Sequence, residues 1–382
     1  MKTDGVSPFR SSPRKGRSFS EVTRAQEQRR PLFAVRAIDR EFYQQHLGSF
    51  LPDTLIDIHT HVWLDRFKSK QKEECLRSVT WPRRVALDNS IEDLMETYQL
   101  MFPGKRVTPL IFGSTSALAD DINGGNEYVS ECANKYHFPA LIFADPKWSE
   151  LEFEERINSG HFLGAKVYLT LSDPRIPEND IQIFDFLPPH QLKVLDAHGW
   201  IAMLHLPRPG RLRDPLNLAQ LVDIERRYPN VKVIVAHVGR AYCPEDIGNA
   251  FEVLGETKKM VFDISANTCA ETFARAIRAV GAKRILFGSD LPVARMRMRR
   301  ICEDGVYVNL VPKGLYGDVS SDSHMREVDG KDQEQLTFFM YEEIDAFRRA
   351  AIETGLGKEE VEAVFYGNGA EMLSEAGFRN LF

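Results

Sequence analysis

The run "LIDIHTHVW", residues 55–63, puts Asp57, His59 and His61 at alternate positions of an apolar stretch. Residues two apart on a strand share a face, so this spacing sets a carboxyl group and two imidazoles on the same side as Leu55. Burying all three without partners is costly, and a bound metal ion removes that cost. Polar groups also terminate later apolar runs: Lys166 in "GAKVY", His205 in "MLHL", His237 in "IVAHVG" and Asp290 in "FGSD". Imidazole and carboxylate ligands at about 2.0–2.2 Å make a Zn²⁺ site with one position left open, and such an ion activates water and polarises a carbonyl. That chemistry requires the open position and a nearby base.

Groups this far apart in sequence meet only where strand ends converge. Short apolar runs begin at Val107, Pro139, Phe162, Trp200, Val231, Lys259 and Lys283, and with the opening run they make eight. Segments of helical spacing separate them, with Ser90, Ser149 and Pro244 where helix starts are expected. Strand runs with few polar interruptions indicate burial on both faces, the mark of a parallel sheet covered by helices. Eight alternations predict an α/β fold, a closed (β/α)₈ TIM barrel in preference to an open doubly wound sheet. Strand C-terminal ends then share one mouth, where barrel enzymes do their chemistry. Two connections on that side are long, Leu64 to Asn89 after the first strand and Leu291 to about Gln335 after the eighth. Unstructured connections of that length serve as lids, binding loops or subunit contacts.

The 382 residues suit one barrel with insertions, assigned to 51–382, behind an N-terminal tail over 1–50 that is largely disordered with at most a short helix. The tail's basic residues, Arg10 to Arg30, are offset by Asp4, Glu21 and Glu27, so a solvated segment is expected. A formal net charge of -6 gives no electrostatic footprint for nucleic acid, and no apolar run approaches a membrane span. Cys75, Cys132, Cys243, Cys269 and Cys302 are scattered with no CxxC pair. That pattern argues against a disulfide framework and a thiolate zinc site, and for a reducing cytoplasm.

Taken in order, "DIHTH", "GAKVY", "MLHL", "IVAHVG", "FGSD" and the closing "YGNGAEML" resemble the metal-dependent amidohydrolase superfamily, in particular the amidohydrolase-related group that includes aminocarboxymuconate semialdehyde decarboxylase. The resemblance covers nearly everything but the tail. It implies that His59, His61, His205 and Asp290 bind one divalent ion, Zn²⁺ first, with Mn²⁺, Fe²⁺ or Co²⁺ also compatible. It further implies that His237 lies beside the activated water; in binuclear hydrolases its equivalent holds a second ion. Lys166 falls where binuclear relatives carry a carboxylated lysine, and a pairing with Asp290 or with substrate is equally open. Asp57 is read as orienting a ligand from behind. Asp263, ending "VFDIS", either reaches the mouth or serves a turn. His137, His161, His190, His198 and His324 sit in helices or loops and receive no role.

Arg208, Arg211, Arg213, Arg240, Arg295, Arg297, Arg299 and Arg300 follow strands five, six and eight, and Arg77, Arg83 and Arg84 lie in the first long loop beside Trp81. Guanidinium groups suit carboxylate or phosphate, so a small anionic substrate is expected, bound by Lys166, Arg208 and Arg240 with Trp63 stacking on it. At least half of these arginines are expected to face solvent or pair with acids instead. The leading expectation is a hydrolase that cleaves an ester, lactone or amide, with Asp290 or His237 moving the proton. The alternative is a decarboxylase or hydratase acting on an unsaturated acid. A barrel kept only for binding predicts an eroded ligand set, and here every family ligand is present. By analogy with relatives, the loop after strand eight covers its own mouth or reaches a neighbour's in a homodimer.

Overall fold

The computed structural model describes residues 31–69, 84–114 and 120–381, and contacts group Val35–Phe382 as one unit. Most of the expected tail, together with Cys75, Arg77, Trp81 and Arg83, lies outside the described residues. The unit begins ahead of Leu51: helix α1 (Ala37–Phe42) continues through a wider turn at Tyr43–Leu47. Its buried Asp39 takes two bonds from Arg297, at 2.7 and 2.6 Å, and one from Thr337 at 2.8 Å.

Strands and helices then alternate as β1 (Thr54–His61), α2 (Ile91–Met101), β2 (Arg106–Phe112), α3 (Ile122–Tyr136), β3 (Ile142–Phe143), α4 (Glu150–Ser159), β4 (Gly164–Val167) and α5 (Pro189–His198). The series continues with β5 (Ile201–Leu204), α6 (Pro215–Arg227), β6 (Lys232–Val235), α7 (Ala250–Gly255), β7 (Val261–Asp263), α8 (Ala270–Val280) and β8 (Ile285–Leu286). Ser90 and Ser149 cap α2 and α4, accepting from the N–H groups of Asp93 and Glu152 at 3.1 and 3.2 Å. Pro244 opens only a short 3₁₀ turn ahead of α7.

All ladders among these strands are parallel: β1 with β2, and β3 through β8 in sequence order. Single bridges, Ile111 to Ala140 and Thr60 to Leu291, join the two sheets at either side. The Ile58 amide donates to Phe287 at 3.0 Å and the Asp290 amide to His59 at 2.8 Å, so hydrogen bonds run around the whole circuit. The barrel expected from eight alternations is therefore the architecture, with regular pairing interrupted at two seams. Below the polar strand ends its interior is apolar, built from Ile56, Ile58, Leu110, Phe112, Leu141, Ile201, Met203, Ile234 and Leu286. Each such side chain contributes roughly 1.5–3 kcal/mol on burial, the term that offsets a charged rim.

The register of β1 against β2 shifts between Asp57 and Thr60. A bulge there moves the side-chain alternation by one step. Ile56 and Ile58 join the interior while the Asp57 carboxylate meets Tyr98 of α2, at 2.8 Å from its hydroxyl. The expectation that Asp57 shares a face with both histidines is corrected accordingly. Asp57 still orients its neighbours, through their backbone: it accepts from the His59 amide at 3.2 Å and the Ser289 amide at 2.8 Å.

The connection after β8 is not the unstructured loop expected from its length. It folds into a small sheet of β9 (Arg299–Glu303), β10 (Val306–Pro312) and β11 (Met325–Val328), in the order β11-β10-β9. Asp304 and Gly305, with φ of 51° and 76°, make the tight turn between β9 and antiparallel β10. After α9 (Gly330–Glu334), the chain closes with α10 (Phe339–Thr354), α11 (Lys358–Glu362) and α12 (Asn368–Glu375). Met372, Leu373 and Ala376 from the last segment pack into the barrel's apolar interior. Among the described residues no helix is long and apolar enough to cross a membrane.

Candidate metal centre

His59 and His61 reach the mouth at the end of β1 with one nitrogen of each ring already engaged. His59 Nδ1 lies 2.9 Å from Asp263 Oδ2, and His61 Nδ1 donates to the Gly113 carbonyl at 2.8 Å. Both rings therefore turn Nε2 toward the same point, where Asp290 Oδ1 stands 3.5 Å from His59 and 3.2 Å from His61. Potential ligand atoms of His59, His61 and Asp290 all lie within 4.8 Å of one another, as do those of His59, His237 and Asp263. Asn89, at the far end of the first long connection, donates to the His61 carbonyl at 2.6 Å and so fixes the strand end from behind.

His205, at the end of β5, is buried against the Tyr168 and His237 rings, at centroid distances of 4.5 and 5.3 Å. It falls outside both compact groups of ligand atoms, yet its Nδ1 is buried without a hydrogen-bond partner. A lone pair left in that condition is costly unless something electropositive takes it. The donor set thus fits a divalent ion: imidazole nitrogens, one carboxylate, and a partnerless nitrogen. Burial, with Lys166 nearby, holds His59 well below the usual histidine range; burial, with Arg240 nearby, does the same to His205. Neutral imidazoles are the form that ligates metal. Burial opposes the charge of Asp290, but the imidazoles of His61, His237 and His59 gathered around it outweigh that and keep its carboxyl below the ordinary carboxylate range.

His237, just past β6, packs over His59 at 4.6 Å between centroids and sets Nδ1 2.7 Å from the Ser265 hydroxyl. Burial lowers its pKa, against the pull of Asp290 and Asp263. Its φ of 113°, and the 58° of Asp290, are left-handed values that non-glycine residues adopt at a cost, one the surrounding fold imposes at this rim. Lys166 is 1% exposed, with Nζ 3.2 Å from His59 Nε2, and burial lowers it to about 8 while Asp263 and Asp290 resist. Of the two readings of Asp263, the mouth is where it sits. Ser265, Tyr168, Tyr242, Tyr307 and Glu343 had no part in the sequence reading. Ser265 was signalled by its i+2 spacing from Asp263. Glu343 was signalled by standing between Phe339 and Phe347 on the buried stripe of α10, where it accepts from the Ala266 amide at 2.7 Å.

The arginines divide as the bland expectation had it. Arg208 pairs with Asp214 at 3.0 Å, Arg211 with Asp246 at 2.7 Å, Arg297 with Asp39, and Arg299 with Glu342 at 3.2 Å. Arg213 and Arg84 donate to backbone carbonyls, and Arg295 lies within 3.4 Å of Thr97 Oγ1 and of the Val85 carbonyl. Arg300 is buried among the Tyr242, Tyr307 and Phe339 rings. Arg240 stays at the centre: its Nη1 donates to the Leu206 carbonyl at 2.9 Å, and its charge acts on His205 and Tyr168. Trp63 is buried, donates to the Leu87 carbonyl at 2.8 Å and stands edge-on to His61 at 6.3 Å. His190, His198 and His324 hold partners away from the centre, and His137 ends α3. The cysteine expectation is corrected. Cys243 and Cys302, 59 positions apart in sequence, form a disulfide with Cα atoms 5.8 Å apart, because β9 folds back over the loop after β6.

No curated protein matches the chain. Among solved structures, an amidohydrolase from Burkholderia multivorans with bound HEPES superposes with a TM-score of 0.53 at 15% identity, covering 84% of this chain and 99% of that one. A probable 2-pyrone-4,6-dicarboxylic acid hydrolase from Acinetobacter baumannii with citric acid bound gives 0.51 at 15% identity and the same coverage, 84% and 99%. A dihydroxybenzoic acid decarboxylase from a Polaromonas species with manganese gives 0.49 at 15% identity, covering 85% and 97%. At such identities the first two likenesses bear on the fold alone, and they agree with the barrel. The family described as amidohydrolase matches residues 56–374, from the second position of the histidine strand's apolar run to the helix that packs into the barrel's base. A match over that span leaves little outside it but the flanks, and the chain belongs to the amidohydrolase family.

Proposed function

We propose that this chain is a metal-dependent hydrolase that cleaves an ester, lactone or amide bond of a small anionic substrate. The observation that carries the reading is the convergence of His59 Nε2 and His61 Nε2 on Asp290 Oδ1, with each opposite nitrogen tied back. In this reading His59, His61, His205 and Asp290 hold one divalent ion, Zn²⁺ by preference for nitrogen and oxygen donors. When bound, the ion supplies Lewis acidity to a carbonyl and acidity to a water.

The chain's own groups supply the rest. His237 is neutral and keeps Nε2 for a proton, because Nδ1 is committed to Ser265. Asp290 stays ionised and is a second acceptor. Lys166 adds a cationic neighbour on the His59 side, and Arg240 faces the region of Tyr168 and His205, where a carboxylate of the substrate is placed. Arg208, already paired with Asp214, is a contributor through that loop, and Trp63 forms the opposite wall beside His61. A homodimer and a cytoplasmic setting remain proposals; the Cys243–Cys302 bond removes the cysteine argument for the latter.

One observation favours a second reading. Tyr168 and Tyr242 interact electrostatically with both Asp290 and Arg240, and Tyr307 with Arg240, which gives the mouth an aromatic wall around a cation. Such a surface suits a flat unsaturated acid, the substrate of a decarboxylase or hydratase. The experiment combines elemental analysis with a screen of lactones, esters and unsaturated dicarboxylates, using wild type and Asp290→Asn. Hydrolysis yields a new acid or amine, whereas decarboxylation yields CO₂ with loss of conjugated absorbance. A metal-free wild type that stays inactive with added Zn²⁺ or Mn²⁺ refutes both readings.

A further inference from the structure

Ser265 is fully buried two residues beyond Asp263, and it touches both histidines that the proposed function uses most. Its hydroxyl oxygen lies 2.5 Å from Asp263 Oδ1, 2.7 Å from His237 Nδ1 and 3.2 Å from His59 Nδ1. A hydroxyl has one proton to give. Asp263 is ringed by donors, taking the Ser265 amide at 3.1 Å on Oδ1 and His59 Nδ1–H at 2.9 Å on Oδ2. It is therefore the acceptor for the serine proton as well. The serine lone pair is then what faces His237, and only an Nδ1–H on that ring completes the bond.

We propose that Ser265 is a positioning residue: it fixes His237 as the Nδ1–H tautomer, so that Nε2 carries the lone pair toward the reacting centre. Asp263 does the same for His59, and one carboxylate thereby orients a metal ligand from β1 and a proton acceptor from β6. The chain of bonds runs His237, Ser265, Asp263, His59, crossing three strand ends in a region closed to water. Partners behind a metal-binding histidine fix its tautomer and raise its basicity, and their loss costs about 10–100-fold in affinity or activity. The assignment rests on the hydrolase reading only for what His59 and His237 do; the tautomers themselves are observable without a metal or a substrate.

The test labels the full-length, metal-free protein with ¹⁵N-histidine and reads the ring nitrogens, assigning His237 by its loss in His237→Gln. The wild-type ring is expected to be protonated on Nδ1. In Ser265→Ala only the backbone carbonyl of that residue, at 3.3 Å, remains as an acceptor and the share of Nδ1–H falls, and in Ser265→Thr, which keeps the hydroxyl, it returns. Zn²⁺ titration against a chelator separates the two partners. Asp263→Asn weakens binding about 10–100-fold, whereas Ser265→Ala leaves it at the wild-type value, because Asp263 still holds His59. A wild-type His237 protonated on Nε2 overturns the proposal even if no variant folds. So does a Ser265→Ala spectrum identical to the wild type. A wild-type ring protonated on Nδ1 in a protein that takes up no Zn²⁺ supports the network and sinks the metal reading instead.

Discussion

Gly288, the glycine of "FGSD", offers a direct test of how closely β8 and the histidine strand are fitted together. A Cβ placed there meets His59 Cβ at 2.8 Å, the His59 amide nitrogen at 3.4 Å and Ile58 Cγ2 at 3.4 Å. The backbone at Gly288 is not left-handed, so Gly288→Ala tests crowding alone. Reaching an ordinary contact of 3.4 Å from 2.8 Å asks for about 0.6 Å of relief. His59 Cβ is one bond from its backbone and cannot swing away. That backbone is held to the segment just past β8 by the Ile58–Phe287 and Asp290–His59 hydrogen bonds on either side. The strain must therefore pass to the strand ends, where His59 and Asp290 sit together. Metal sites keep ligand distances within about 0.2 Å, so a displacement of this size is expected to weaken Zn²⁺ binding about 10–100-fold. Overpacking adds a loss of about 1–3 kcal/mol in the metal-free protein. Chelator competition measures the first and urea unfolding the second. Gly113→Ala, on the same rim, is the control, since its Cβ meets only Phe143 Cβ at 4.0 Å. If Gly288→Ala binds Zn²⁺ as tightly as wild type and unfolds at the same urea concentration, the close fit between these strands is not what positions the centre.

Other outcomes follow from the same contacts. Burial pushes Asp57 up to about 7 from the 3.8 of a free carboxyl. The folded protein then binds the proton more tightly than the unfolded chain, so this group's contribution makes stability fall as pH rises through that interval. The ceiling is about 4 kcal/mol at 1.36 kcal/mol per pH unit. The opposing trend from buried neutral histidines cancels in the difference between wild type and Asp57→Asn, which is expected to widen in the mutant's favour toward neutral pH; a pH-independent difference in urea midpoint contradicts it. Asp39→Ala strands a buried guanidinium and is expected to cost about 3–5 kcal/mol, read by the same unfolding assay, with a loss under 1 kcal/mol as the adverse result. Arg240→Ala should raise KM for the anionic substrate about tenfold or more, while leaving Zn²⁺ affinity unchanged; an unaltered KM rules out Arg240 as the anion's partner.

The parts of this fold that were legible in sequence are those set by local pattern. The eight apolar runs alternate with helical spacing, and strand pairing needs nothing more to close them into a ring. His59, His61 and Asp290 were readable because polar groups at strand ends break an otherwise apolar pattern. Asp57 misled for a definite reason: period-two reasoning assumes an unbroken ladder, and the register shift before Thr60 is a property of the pairing with β2. The sheet after β8 carries its own signal in "EDGVYV", where Asp304–Gly305 marks a hairpin that the length of the connection masks. The partners of Cys243, Asp39 and the arginines lie far off in sequence and meet only through the tertiary fold. Spacing alone has no access to them.

The segment that packs Met372, Leu373 and Ala376 into the interior works as a cork at the barrel's base. Gly369 lies close against the first strand there, where even a methyl group would come within 3.1 Å of Ile56 Cγ2. Among the described residues the base is thus packed shut, so a product released at the polar strand ends leaves on the side from which the next molecule arrives, and a slow departure delays its replacement.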